Sequence, residues 1–70
     1  MTKDQLITRS KDILGGTPVF AGTRVPVQTL IDYLKRNHPL EEFLDDFPTV
    51  KKEQAEAALD IAKAALLAQP

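Results

Sequence analysis

Cysteine is absent from this sequence and histidine occurs once. The first absence excludes a disulfide framework and thiolate metal sites, which secreted domains of this size often need, and points to a reducing, cytoplasmic setting. The second leaves His38 without a second imidazole to share a metal; set between Asn37 and Pro39, it reads as a structural turn residue. No apolar stretch approaches the roughly 18 residues needed to cross a membrane, and Met1-Thr2-Lys3-Asp4-Gln5 opens without the apolar run of a signal peptide. An excess of one charge is lacking as well. Nine Lys plus Arg against ten Asp plus Glu give a formal charge of -1, without the basic surplus that supplies most non-specific nucleic-acid affinity. Duplex binding by a lone chain therefore starts at a disadvantage.

Catalytic sets are missing too. Glu41-Glu42 and Asp45-Asp46 are neighbours on a helical stretch, so their side chains point about 100° apart and neither pair can flank one reacting bond. The stretch Gly16 to Arg24 has the look of a phosphate loop, but five residues separate Gly16 from Gly22, and the Lys-Ser/Thr pair that would follow is absent. The expectation is a non-enzymatic chain with no cofactor and no metal.

What is present is ordinary globular material: 70 residues, 43% hydrophobic and 27% charged, with periodic apolar positions. A chain of this length hides only about 60% of its unfolded surface, so a single domain over residues 1–70 with a marginal core is expected. The character changes near Val25. Gly15, Gly16, Pro18 and Gly22 lie before it, and Gln5–Thr8 and Pro18–Ala21 read as short strands, with Ala21-Gly22-Thr23 turning the chain toward the first helix. A lone ribbon of two strands needs cover from a helix or another chain.

Residues 25–68 carry three helical patterns. The first spans Pro26–Arg36, with Pro26 at the first helical position, Val27, Leu30, Ile31 and Leu34 on one stripe, and Asn37 as the left-handed residue that ends it. The second spans Pro39–Asp46, with Leu40, Phe43 and Leu44 leading to Phe47, and is stopped by Pro48. The third starts between Val50 and Lys52 and runs to Ala68. The fold class that follows is mainly α: a short N-terminal β segment plus a three-helix, helix-turn-helix-like bundle.

The third helix carries an anomaly. Winding residues 52–68 at about 100° each gathers Lys52, Glu53, Glu56, Asp60 and Lys63 into an arc of about 100°. Alanine, leucine and isoleucine cover the remaining ~220°, against the ~100° stripe that one core requires. Ile61 is expected to point away from Leu59 and Leu66, and Ile61, Ala65, Leu66 and Ala68 are the anchors expected for a partner. Self-association, at least as a homodimer, is expected through Ala57, Ile61, Ala64 and Ala68 or through the N-terminal strands.

The run from Gly16 to Val27 (GTPVFAGTRVPV), followed by Tyr33-Leu34, Leu40 to Leu44, Asp46-Phe47-Pro48 and Glu53-Gln54, resembles the small prokaryotic family known as domain of unknown function 433, over about residues 7 to 62. The resemblance implies a homeodomain-like or winged-helix-like fold and an antitoxin-like role beside a PIN-like ribonuclease toxin. Two departures stand out. Relatives commonly carry Gly at position 37 and Ser or Thr at position 39, where this chain has Asn37 and Pro39. They often open the third helix with Thr-Pro, where Lys51-Lys52 stand here. The first departure removes a side-chain cap worth about 1 kcal/mol; the second places positive charge where the helix dipole prefers negative.

Two roles remain open for Arg24. It either pairs internally with Asp46 or Asp45, offsetting carboxylates poorly placed at a helix C-terminus, or it faces a partner's acidic group or a phosphate. Two function classes follow: a protein-binding antitoxin, or a helix-turn-helix DNA-binding regulator. In the second, Lys35, Arg36, Lys51 and Lys52 are the candidate DNA contacts, clustered in an oligomer or complex. Glu53, Glu56 and Asp60 weigh against the second, because phosphate repulsion opposes their entry into a major groove.

Overall fold

The computed structural model describes residues 2–9, 11–12 and 14–68. The elements are α1 (Lys3–Leu6), β1 (Ile7–Thr8), a 3-10 turn (Leu14–Gly16), β2 (Val19–Phe20), α2 (Val27–Lys35), α3 (Leu40–Asp46) and α4 (Lys52–Leu67). The described chain is thus mainly helical, with a two-stranded antiparallel sheet that pairs Ile7 with Phe20 and Thr8 with Val19. The three C-terminal helices stand within a residue or two of their expected bounds.

The N-terminal segment departs from expectation. Gln5 and Leu6 belong to a helical turn and not to a strand, because Thr2 caps it: its Oγ1 accepts from the Gln5 N–H at 3.2 Å, while the Gln5 Oε1 accepts from the Thr2 N–H at 3.0 Å. This reciprocal box satisfies two otherwise orphan donors and aims Leu6, which is fully buried, at α4. The ribbon obtains its cover from within the chain. β2 lies between β1 and Pro26, bridged to the latter through Val19, and both of its residues are buried.

Helix ends follow local chemistry. Pro26 and Pro39 sit one position earlier than expected, as extended N-cap residues without a side-chain cap bond. At the other end of α2, Asn37 adopts φ 66°. Its N–H donates to the Leu34 carbonyl at 3.1 Å and the His38 N–H donates to the Tyr33 carbonyl at 2.9 Å, the paired bonds of a Schellman ending. Asparagine therefore does at position 37 what glycine does elsewhere. Before α3, His38 Nδ1 lies 2.9 Å from Glu42 Oε2, and its ring packs 5.4 Å from that of Tyr33.

Leu6, Phe20, Val25, Leu30, Phe43, Val50, Ala55 and Ala58 form the buried core. The chain's one tyrosine and three phenylalanines all join it or its margin. Tyr33 meets Phe43 and Phe47 edge-on at centroid distances of 5.4 and 5.7 Å, and Phe43 stands 6.2 Å from Phe20. Such tilted and edge-on pairs add about 0.5–1.5 kcal/mol beyond burial.

Gln54, only 9% exposed, is the buried polar residue among these apolar ones. Its Oε1 accepts from the Lys51 N–H at 2.9 Å and its Nε2 donates to the Ala21 carbonyl at 3.0 Å. One amide thus caps α4 from inside and ties it to the turn after β2. Replacing it by alanine leaves both partners unmet, so Gln54→Ala is expected to cost about 1–3 kcal/mol, read as a lower urea midpoint at unchanged slope. Gln54→Glu keeps the acceptor but turns a carboxylate on the Ala21 carbonyl, and its loss at neutral pH should be at least as large. Parent-like stability in both variants would show that the amide clamps nothing.

Candidate functional site

Arg24 reaches the surface through a loop that has little freedom. Gly22 takes φ 77°, which L side chains rarely adopt. Thr23 then locks the turn, its Oγ1 donating to the Phe20 carbonyl at 2.9 Å and accepting from the Val25 N–H at 3.0 Å. Backbone bonds from Phe20 N–H to the Val25 carbonyl and from Thr23 N–H to the Phe20 carbonyl, each 3.0 Å, complete it. Burial of Val25 on one side of Arg24 and the Pro26 bridge to Val19 fix the exit.

This loop forms one wall of a groove of about 570 Å³, closed on the other side by Phe47 and Thr49 and at one end by Thr8. Arg24 is the charged residue among those lining it, and no carboxylate joins it there. The internal pairing considered for Arg24 does not form: among the described residues it makes no ion pair with Asp45 or Asp46. Tyr33 Oη donates to Asp46 Oδ2 at 2.7 Å, so the carboxylate at the C-terminal end of α3 is held by a phenol from the aromatic cluster. The bond to Asp46 holds the Tyr33 hydroxyl above its ordinary value of 10.0, with burial and the charges of Asp46 and Glu42 acting in the same direction.

The second candidate surface is the far end of α4, and here the expectation is corrected. The apolar excess runs along the helix axis, not around it. Gln54, Ala55 and Ala58 are buried, and Leu59 and Ile61 are half-buried against the chain's own core. Ile61 therefore does not point outward. It packs against the buried core, and α1 is among the elements in contact with α4. Beyond residue 62 that cover stops, and Lys63, Ala64, Ala65, Leu66, Leu67 and Ala68 are all exposed, with Leu66 and Leu67 each 74% accessible. Leu67, which the sequence reading did not single out, is as open as Leu66; the signal was its place in the last turn, beyond the reach of a small core.

The four candidate DNA contacts are exposed: Lys35 and Arg36 end α2, and Lys51 and Lys52 open α4. Glu53, Glu56 and Asp60 are exposed along α4 as expected. Among the described residues, no helix is long and apolar enough to cross a membrane, and no group of three or more His, Cys, Asp or Glu is placed to hold a metal.

Across residues 7–62 the chain matches the model of a family described as "Protein of unknown function (DUF433)". It is 40% identical over 60 residues to the uncharacterized protein y4eO of Sinorhizobium fredii, a match that covers 86% of this chain and 27% of that protein. It therefore spans about a quarter of that relative's length. The crystal structure of a DUF433 member from Anabaena variabilis superimposes with a TM-score of 0.73 at 28% identity, covering 86% of this chain and 59% of that one.

Tyr33 is the sole tyrosine and tryptophan is absent, so phenolate absorbance reports this one bond. The native chain should titrate above 10.0 and the urea-unfolded chain at the ordinary value. A raised folded pKa favours the protonated phenol in the folded state, so its contribution to stability is complete below the unfolded pKa and is lost as pH rises through the folded one. Asp46→Ala should return the native titration toward 10.0; identical curves for parent and variant would show that the bond does not persist in solution.

Proposed function

The chain belongs to the DUF433 family, and from that premise we propose that it is a non-enzymatic, antitoxin-like module that binds and neutralises a PIN-like ribonuclease. One observation carries the protein-binding part of this reading: the last turns of α4 project beyond the core with an apolar surface, Leu66 and Leu67 each 74% exposed. Leaving two leucines in water forgoes about 1.5–3 kcal/mol for each, a large cost for a chain whose core is marginal. Laying this end of the helix in a groove of a partner recovers it, with anchors at helical spacing. Ala64, Leu67 and Ala68 stand at i, i+3 and i+4 on one side, and Ala65 and Leu66 broaden it. A ribonuclease as the occupant rests on the resemblance to antitoxin-like relatives.

A second copy of the chain is the competing occupant of the same surface, which makes a homodimer through α4 part of this reading. The helix-turn-helix interpretation of α3, the 47–51 turn and α4 is less favoured: Lys51 and Lys52 stand at the entry of a helix whose exposed side then carries Glu53, Glu56 and Asp60. Isolated duplex binding is expected to be weaker than roughly 10 μM at physiological salt.

Co-expression with the product of the adjacent gene tests the reading. The expected result is a co-purifying complex with suppressed ribonuclease activity. The double variant Leu66→Asp/Leu67→Asp, altered only at exposed positions, should fold normally and bind at least about a hundredfold more weakly. Light scattering on the chain alone reports whether a second copy occupies the surface first. Full inhibition by the double variant would overturn the role of α4, and nanomolar binding of its own promoter by the lone chain would favour the DNA-binding regulator.

A further inference from the structure

We propose that the groove between the 22–26 loop and the 47–49 turn receives a carboxylate side chain of a protein partner, flanked by an apolar residue. This deepens the protein-binding reading and rests on it for the class of partner. The surface is nevertheless separate: Thr49 precedes α4, whereas Leu66 and Leu67 lie at its far end, about 24 Å away for a helix of this length.

Charge is the first support. Arg24 is exposed and makes no ion pair among the described residues, and no carboxylate lines the groove. An entering anion therefore meets a guanidinium and no carboxylate among the lining side chains. Asp45 and Asp46 at the end of α3 lie outside the lining, and Asp46 accepts a hydrogen bond from Tyr33. Shape and rigidity are the second. The loop that presents Arg24 is fixed by four hydrogen bonds of 2.9–3.0 Å around Thr23 and Val25, so its backbone need not be ordered on binding, and a planar guanidinium presents two parallel donors to a carboxylate. The composition of the walls is the third. Pro26 and Phe47 offer apolar surface, while the exposed Thr8 and Thr49 offer hydroxyl groups at the rim. Apolar walls around one cation suit an acidic residue with an aliphatic neighbour. A duplex backbone instead calls for a row of cations at phosphate spacing, and the groove holds one.

The test is a nitrogen-15 NMR titration of the full chain with a short acetylated and amidated peptide carrying one glutamate between two leucines, beside its glutamine counterpart. Shifts are expected at the amides of Gly22, Thr23 and Thr49 and at the Arg24 side-chain Nε–H, with the glutamine peptide bound about tenfold more weakly. Arg24→Gln should remove that preference, and because Arg24 is exposed the variant should keep the parent spectrum elsewhere. The Leu66→Asp/Leu67→Asp variant should bind the peptide like the parent, which separates failure at this groove from failure at the end of α4. Equal binding of the two peptides, shifts confined to other surfaces, or no response at about 1 mM peptide would each overturn the proposal. So would displacement of the peptide by a short DNA duplex whose own affinity falls on Arg24→Gln, which would assign the groove to phosphate.

Discussion

The amide of Gln54 is the constraint on which the rest of the arrangement depends. Buried polar groups are tolerated only when their bonds are made, and Gln54 makes one local bond and one distant one: to the Lys51 N–H at the start of its own helix and to the Ala21 carbonyl at the turn after β2. Shifting α4 by one residue along its axis would carry the Lys51 bond with the helix but break the bond to Ala21 and leave the buried Nε2 unmet. The register of α4 is thereby fixed to the hairpin, and with it the faces that Ala55 and Ala58 bring to the core. The bond to Ala21 also ends directly before Gly22, so the loop that presents Arg24 is anchored at its base by the same residue.

A second constraint concerns how the carboxylates at the end of α3 are met. Carboxylates at the C-terminus of a helix oppose its dipole, and α3 ends in Asp45 and Asp46 with no basic residue in its last turn. Neutralisation by Arg24 would have been the electrostatically obvious solution. The fold instead gives Asp46 a hydrogen bond from the neutral hydroxyl of Tyr33, whose ring core packing places edge-on against Phe43 and Phe47; the carboxylate keeps its charge. Arg24 stands on a rigid loop and makes no ion pair among the described residues.

This outcome marks where sequence reading succeeds and where it stops. Apolar spacing in α2 and α3, the left-handed Asn37 and the turn at 21–23 were legible, since each depends on residues within a few positions of one another. Gln5 and Leu6 were misassigned to a strand because a capping box beginning at Thr2 outweighs the β preference of a four-residue run. Ile61 was misplaced for a different reason: a helical wheel reports angle, whereas burial along α4 changes with position, from buried residues in its first turns to exposed ones beyond residue 62. That Asp46 is met by Tyr33, thirteen positions away, was not legible either, because no local pattern encodes such a bond. Gln54 appeared in the family-like pattern, but its burial did not follow from its polarity.

Small size links these features to partner binding. A 70-residue chain retains little surplus stability, and the α4 end lies outside the region where its own core can protect it. Backbone hydrogen bonds of a helical end without tertiary cover open at low free energy, so the segment that offers the most apolar surface is also the one least stabilised by the rest of the chain. A protein that binds this end in its helical form stabilises that form by mass action. Under the proposed protein-binding role, folding of the last turns and recognition would be one equilibrium, with the Gln54-anchored part of α4 positioning the chain and the exposed last turns stabilised by the partner that covers them.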